Sequence, residues 1–240
     1  MHPDVVIAAA GVCVALGGFV QSGIGLGLGL IAAPIVTLLD PALMPGSMLV
    51  AGASLPVLIL AREAWHTDWR GVSWALGGRV AGTLGGIWVL AAVSLRALGI
   101  VVGTMVLAVV VLSVVRTAVP RNRATLLTAG VISGVTGTAT SIGGPPVALL
   151  YQSESGPRVR ATLSVFFCVG NSIALIALAT AGHLPGHDVA AGLVFTGCAA
   201  AGFALAAGLR RFLDAGRTRT AVLAAAAGSA LVLIAHSVLG

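Results

Sequence analysis

The residues whose types and spacing could bind a solute lie at positions 134–152, an uncharged stretch that reads GVTGTATSIGGPPVALLYQ. A glycine pair, Gly143-Gly144, is followed directly by a proline pair, Pro145-Pro146. Proline has no backbone N–H and its ring obstructs the preceding turn, so a helix arriving from upstream cannot continue through this point. A proline pair can open a new helix, because the first N–H groups of a helix have no intrahelical partner. We therefore predict that one helix ends before Gly143 and another begins at Pro145.

Anion binding is the chemistry that such a break offers. At a helix start, backbone N–H groups and the positive end of the helix dipole point at the ligand, and nearby hydroxyl and amide groups add donors. A second glycine-rich stretch, residues 17–29, offers the same groups. The candidate binding residues are Gln21, Ser22, Gly23 and Gly25 in that stretch and Thr140, Ser141, Gly143, Gly144 and Pro145 in the later one. The alternative, that these glycines only let helices pack closely, stays open.

The composition of the chain places these stretches in a membrane. Of the 240 residues, 58% are hydrophobic and 8% are charged, and the mean hydropathy is +1.08. An average soluble domain is about 25% charged. Several uncharged runs exceed the roughly 20 residues that cross a bilayer as a helix, whereas a β-barrel would show short alternating segments. We predict an all-α polytopic membrane protein.

The order of segments recurs in the two halves of the chain. A shift of 118 residues carries Ile24-Gly25 onto Ile142-Gly143 and Ser54 onto Ser172 without gaps. Each half reads as a broken or re-entrant helix pair followed by three transmembrane helices, and such internal repetition is typical of repeat architectures. We predict repeat 1 at residues 1–115, a basic cytoplasmic linker at 116–123 and repeat 2 at 124–240.

The arginines predict how the halves are oriented. All thirteen basic side chains are arginine, and they concentrate in loops at residues 62–70, 116–123, 153–160 and 210–219. Loops rich in arginine stay on the cytoplasmic side. With these loops inside, each broken stretch must enter and leave on one side, either as a re-entrant hairpin or as a pair of spans. The halves are then inverted repeats, as in many secondary transporters, and both termini are extracytoplasmic.

Further positions inside predicted spans could line a pathway. Arg79 is the one arginine well inside a span, where a buried charge is expensive and a bidentate contact to an oxyanion would stabilise it. The alternative is that its side chain extends to the cytoplasmic interface. Ser54 lies in one repeat and Asn171-Ser172 at the matching place in the other. These polar groups face the pathway or make interhelical hydrogen bonds, and both readings stay open.

The remaining reactive residue types indicate neither an enzyme nor a metal site. Cys13, Cys168 and Cys198 lie far apart in apolar runs, with no CxxC or Cys/His cluster. No histidine maps to the depth of the hydroxyl-rich stretch and no carboxylate to a membrane midplane, so we predict no catalytic residue, cofactor, metal or nucleic-acid partner.

An anion leaving a negative-inside cell gains about 2.3 kcal/mol per charge per 100 mV, so export needs no coupling ion.

Two copies of a glycine-rich signature make the chain resemble a known family. The first copy is GFVQSGIGLG at residues 18–27, followed by Pro34; the second combines GVISG at 130–134 with SIGGPP at 141–146. Arg160-Ala-Thr and Trp69-Arg70 also fit. In these features the chain resembles the TauE/SafE family of bacterial sulfite exporters, over essentially its whole length. It differs at Leu26, where the family usually has a continuous glycine run.

The resemblance implies a multi-pass permease of the cell membrane for small sulfur-containing anions. On this basis we expect export of sulfite or an organosulfonate by alternating access, with the site where the two broken stretches meet. Two alternatives stay open: an uptake permease for a sulfonate or another small oxyanion, and an accessory membrane subunit without transport activity. Besides the anion and the lipid bilayer, a second copy of the chain is a candidate partner.

Overall fold

The computed structural model describes residues 3–114, 119–209 and 215–239, and within these ranges all regular structure is helical, which confirms the all-α prediction. The helices are α1 (Pro3–Ile24), α2 (Leu28–Leu39), α3 (Gly46–Glu63), α4 (Trp69–Ala92), α5 (Leu95–Val114), α6 (Arg123–Thr140), α7 (Pro145–Leu150), α8 (Gly156–Thr180), α9 (Gly186–Leu209) and α10 (Ala215–Leu239). Short 3-10 turns follow α2 and α3. Parts of the predicted linker at 116–123 and of the basic loop at 210–219 lie outside the described residues.

Five of the described helices are long and apolar enough to cross a bilayer. They cover Val5–Gly23, Gly46–His66, Trp69–Ala92, Gly156–Thr180 and Gly186–Ala206. The helix Leu28–Leu39 is apolar but shorter, and at 12 residues it reaches about 18 Å, well short of the hydrocarbon core. These spans confirm a polytopic membrane protein.

Both helix breaks occur where glycine and proline predict them. The first half breaks between α1 and α2 at Gly25, which has φ +81°. The second half breaks between α6 and α7 at Ser141, with φ 61° and an N–H that donates to the Gly137 carbonyl at 2.9 Å. A residue in the left-handed region commonly ends a helix. The new helix begins at Pro145, as predicted, because the first turn of a helix does not use the backbone N–H that proline lacks.

The helices pack in pairs across the two halves. Helix α4 lies along α6 and α1 lies along α9, while α3 contacts α8 and α5 contacts α10. By position in the chain, α1 to α5 of the first half correspond to α6 to α10 of the second. Exchanging each helix for its counterpart turns the α4–α6 pair into the α9–α1 pair and leaves the α3–α8 and α5–α10 pairs unchanged. This is the packing that a two-fold repeat would produce. The inversion of the halves across the bilayer and the domain boundaries stay predictions.

Glycines make the closest of these contacts possible. A Cβ on Gly78 or Gly82 of α4 would overlap backbone atoms of α6, and a Cβ on Gly130 of α6 would overlap the carbonyl of Ala75. Gly202 on α9 is in the same relation to the backbone of α1. Small residues let helix backbones approach within van der Waals contact. These glycines therefore allow the close packing of α4 against α6 and of α9 against α1.

Candidate functional site

A small cavity of about 30 Å³ lies where the two broken stretches meet. A Cβ on Gly29 would come within 3.0 Å of the Ser141 carbonyl oxygen, so the two breaks are in direct contact. Six of the predicted site residues line the cavity: Gln21, Ser141, Gly143, Gly144, Pro145 and Asn171. None of the described residues that line it is acidic. The lining is therefore open to an anion without charge repulsion.

Gln21 supports the start of α2 from the preceding helix. Its Oε1 accepts a hydrogen bond from the backbone N–H of Leu28 at 3.1 Å, and the side chain is almost wholly buried. The first N–H groups of a helix have no backbone partner, so this contact satisfies one of them. A Cβ on Gly27 would lie 2.8 Å from the Gln21 nitrogen, which shows how tightly the chain turns here. Gln21 thus shapes the first break.

The hydroxyl groups of the second break already have acceptors. Thr140 Oγ1 donates to the Thr136 carbonyl at 2.7 Å, and Ser141 Oγ donates to the Pro45 carbonyl at 2.9 Å. A hydroxyl has one proton to donate, so neither group offers one to an anion in this conformation. The expectation of hydroxyl donors in this stretch is therefore not met by the observed bonding. Ser141 instead ties the break to the turn before α3.

Arg79 on α4 is wholly buried, with none of its surface exposed. Its Nη2 donates to Asn171 Oδ1 at 2.5 Å, and its Cζ lies 4.8 Å from the centre of the Phe166 ring. The other two guanidinium nitrogens, Nε and Nη1, have no hydrogen-bond partner. The alternative in which this side chain extends to the cytoplasmic interface is therefore wrong.

Three glycines make room for the Arg79 guanidinium. A Cβ on Gly170 would overlap it, a Cβ on Gly143 would lie 3.0 Å from Nη1, and one on Gly137 would lie 3.2 Å from Nη2. Gly143 and Asn171 contact Arg79 and also line the cavity. The positive charge is thus separated from the cavity by a single layer of residues. No described carboxylate forms an ion pair with Arg79.

The other predicted site residues lie away from the cavity lining. Ser54 Oγ and Ser172 Oγ donate to carbonyls of the preceding turn of their own helices, and Ser172 is exposed. Ser22 Oγ donates to the Phe19 carbonyl. Gly23 is exposed with open space around it, and Gly25 packs on the side chain and backbone of Arg160. Apolar residues such as Leu26, Met48 and Phe167 also line the cavity, and the sequence-based prediction did not include them.

An ion pair joins the two halves at the arginine-rich face. Arg160 Nη2 and Nε donate to the two carboxylate oxygens of Glu63 at 2.7 and 2.9 Å, a bidentate contact between α8 and the end of α3. Bidentate contacts of this kind are among the strongest charge-assisted hydrogen bonds. A Cβ on Gly25 would lie 3.2 Å from Arg160, so the pair lies directly against the first break.

A second contact joins the halves at the same face. Tyr151 donates its hydroxyl proton to Asp68 Oδ2 at 3.0 Å, and Asp68 also accepts from the N–H of Gly71. Burial alone would raise the pKa of Asp68, but these hydrogen bonds and the nearby Arg121 and Arg158 hold it below its ordinary value. Burial, together with the Asp68 carboxylate, raises the pKa of Tyr151, so its hydroxyl remains a donor.

Comparison with known proteins places the chain in a family. A family model described as "Sulfite exporter TauE/SafE" matches residues 10–233. The matched region contains both breaks, Arg79 and every residue of the cavity. No curated protein and no solved structure matches the chain.

Proposed function

The chain belongs to the sulfite exporter TauE/SafE family, and from that premise we propose that it exports sulfite or an organosulfonate across the cell membrane by alternating access. Membership of the family makes it a multi-pass membrane transporter of small sulfur-containing anions. We further propose that the cavity between the two breaks is the anion site and that Arg79 supplies its positive charge.

The buried guanidinium of Arg79, in which Nε and Nη1 have no hydrogen-bond partner, is the observation that carries this proposal. A buried charge without an opposite charge is costly, and buried N–H groups without acceptors add to that cost. An oxyanion in the cavity would offset the first of these costs by balancing the charge. Unit charges about 6 Å apart attract by about 3 kcal/mol at an effective dielectric constant near 20. The arrangement is therefore that of a site which is complete only when an anion is present.

Asn171 connects the charge to the cavity. Its Oδ1 accepts a hydrogen bond from Arg79, so the amide N–H groups of Asn171 point away from Arg79. Asn171 itself lines the cavity. A Cβ on Gly52 would lie 2.7 Å from Asn171 Nδ2, so the amide nitrogen faces the wall formed by α3. We propose that this amide donates to the anion while Arg79 balances its charge. The backbone of Gly143 and Gly144, just before α7, also lines the cavity.

The charge distribution supports export. The described residues that line the cavity include no carboxylate, so none of them is a carboxylate proton carrier for uptake against the membrane potential. An anion that moves outward gains about 2.3 kcal/mol per charge per 100 mV. On the arginine rule, the face that carries Glu63–Arg160 and Asp68–Tyr151 is cytoplasmic. Access from the cell interior then requires these two contacts to separate.

Flux through the purified protein tests the proposal. The protein would be reconstituted into liposomes, and the flux of radiolabelled sulfite would be compared between wild type, Arg79→Gln and Arg123→Gln. Arg123 is the matched control, since it is exposed and lies over the Trp74 ring, away from the cavity. We expect flux to fall about 30-fold or more in Arg79→Gln, since removal of a buried charge contact costs about 2 kcal/mol or more.

The result is read against the control. Arg123→Gln is expected to carry sulfite at the wild-type rate. Equal rates for Arg79→Gln and wild type would contradict the assignment of Arg79. Absence of flux in the wild type, with the protein correctly inserted, would instead favour the accessory-subunit alternative.

A further inference from the structure

One wall of the cavity consists of closely spaced apolar side chains. Leu26, from the first break, and Phe167, from α8, meet beside Gly144 at the second break. A Cβ on Gly144 would overlap the tips of both side chains. Gln21 and Asn171 carry amide groups and line the same cavity. In so small a space, an anion whose oxygens contact these amides leaves any alkyl substituent to meet Leu26 and Phe167.

The space in front of this wall is small. A cavity of about 30 Å³ holds roughly two water-sized positions, since one such position needs about 10–15 Å³. A compact oxyanion fits a space of this size. An alkyl chain on the sulfur would have to enter the volume that Leu26 and Phe167 fill. Packed walls resist added methylene groups because neighbouring side chains must leave their preferred rotamers.

Phe167 is held in place by the residue before it. The rings of Phe166 and Phe167 lie 6.1 Å apart at an angle of 64°, edge to face, and Phe166 also contacts the Arg79 guanidinium. Consecutive residues of α8 thus fix the charge and the apolar wall relative to each other. The wall is part of the same assembly as the buried charge.

We propose that Phe167 and Leu26 determine the size of the transported anion, so that the site accepts a bare sulfur oxyanion and excludes sulfonates with an alkyl tail. This inference rests on the proposed function and restricts its range of substrates to anions without an alkyl tail. It assigns specificity to two apolar residues that come from different halves of the chain. Truncating either residue should open the wall without removing a polar contact.

The test compares two anions in proteoliposomes. Fluxes of sulfite and 1-propanesulfonate would be measured for wild type, Phe167→Ala, Leu26→Ala and the control Val169→Ala. Val169 lies on the same helix, is 41% exposed and does not line the cavity. We expect the ratio of propanesulfonate to sulfite flux to rise about tenfold or more in both truncations, as for other methylene-sized changes in a pocket, and to stay unchanged in the control.

Two results would overturn the size assignment while leaving the proposed function intact. One is a flux ratio that stays at the wild-type value in both truncations while sulfite flux persists. The other is wild-type transport of propanesulfonate as fast as sulfite. If Phe167→Ala fails to fold, Leu26→Ala and the milder Phe167→Leu decide the outcome. Absence of flux for every anion in the wild type would contradict the proposed function, and this inference with it.

Discussion

Asn171 Oδ1 accepts a hydrogen bond from Arg79 Nη2 at 2.5 Å, and this contact joins α8 in the second half of the chain to α4 in the first. It is the one hydrogen bond that the Arg79 guanidinium makes within the described part of the protein. The amide leaves the charge of Arg79 unbalanced, as a carboxylate at the same place would not. Under the proposed function, an amide rather than a carboxylate at this position leaves the charge of Arg79 available to an anion.

Replacing that amide by a carboxylate tests this relationship. Asn171→Asp keeps the size of the side chain and an acceptor for Arg79, but it adds a negative charge where the anion would bind. We expect sulfite flux to fall about tenfold or more, since like charges brought together in a site cost several kcal/mol. The apparent Tm should stay the same or rise, because Arg79 gains an ion pair. Flux at the wild-type rate with an unchanged Tm would contradict an anion site beside Asn171.

Adding one methyl group to the second break should close the cavity. In Gly144→Ala the new Cβ would overlap the tips of Leu26 and Phe167, which must shift into the open space. We expect loss of sulfite flux with a decrease in stability of about 1–3 kcal/mol, the usual cost of overpacking. Flux and apparent Tm of the reconstituted protein would be measured in parallel.

Gly197→Ala provides the matched control for that change. Gly197 has open space around its Cβ position, so the substitution should leave flux unchanged. In the double variant Gly144→Ala with Leu26→Ala, part of the flux should return, because the smaller side chain makes room for the methyl group. Gly144→Ala with full activity would show that the cavity is not on the transport path.

The Glu63–Arg160 pair should control access from the arginine-rich face. The two side chains are 17% and 18% exposed, so the contact is partly screened by solvent. Charge-assisted hydrogen bonds contribute about 1.5–3 kcal/mol, so Glu63→Gln should raise the population open to that face about tenfold or more. The measurement is the labelling rate of Met48→Cys, a cavity residue, by an impermeant thiol reagent in inside-out vesicles of an otherwise cysteine-free variant.

A double variant separates the ion pair from other effects of the substitution. If the contact acts as one unit, Glu63→Gln combined with Arg160→Gln should label no faster than Glu63→Gln alone. Arg160→Lys keeps the charge but loses the bidentate geometry, and it should give an intermediate rate. Labelling that is unchanged in all three variants would mean that this pair does not close the cavity.

Asp68 should make the stability of the protein fall in acid. Its folded pKa lies below the ordinary value, because hydrogen bonds and nearby arginines outweigh the opposing effect of burial. A carboxylate with a lowered pKa contributes stability above its unfolded pKa of about 3.9 and loses it as the pH falls through the lower folded value. Apparent Tm would be measured for wild type and Asp68→Asn from neutral pH downward. The difference between them should persist to about pH 4 and shrink below it; a constant difference would contradict this role.

The sequence predicted the breaks because single residue types determine them, and it singled out Arg79 without deciding whether that side chain is buried. The proline pair at Pro145 excludes a continuous helix, and the glycine-rich stretch around Gly25 is where the first long run breaks. Arg79 is identifiable in the sequence because arginine is rare at that depth of a span. The apolar character of the long helices likewise follows from composition alone.

Other features of the site depend on contacts that the sequence does not contain. Ser141 and Thr140 have the right type for donors, yet their protons go to backbone carbonyls that folding brings within reach. Phe167 and Leu26 look like any other apolar residues of a span, and only the approach of the two breaks makes them a wall. The bidentate contact between Glu63 and Arg160 joins residues far apart in the chain, and nothing local indicates it.

Equilibrium binding of sulfite to the purified protein tests the central claim most directly. Binding would be measured in detergent by isothermal titration calorimetry for wild type, Arg79→Lys and Arg79→Gln, with Arg123→Gln as control. If Arg79 supplies the charge of the site, wild type and the control bind sulfite alike, Arg79→Lys binds more weakly, and Arg79→Gln loses about 30-fold or more in affinity. Equal affinity for wild type and Arg79→Gln would contradict the account, because the anion would then bind without the buried cation that the cavity adjoins.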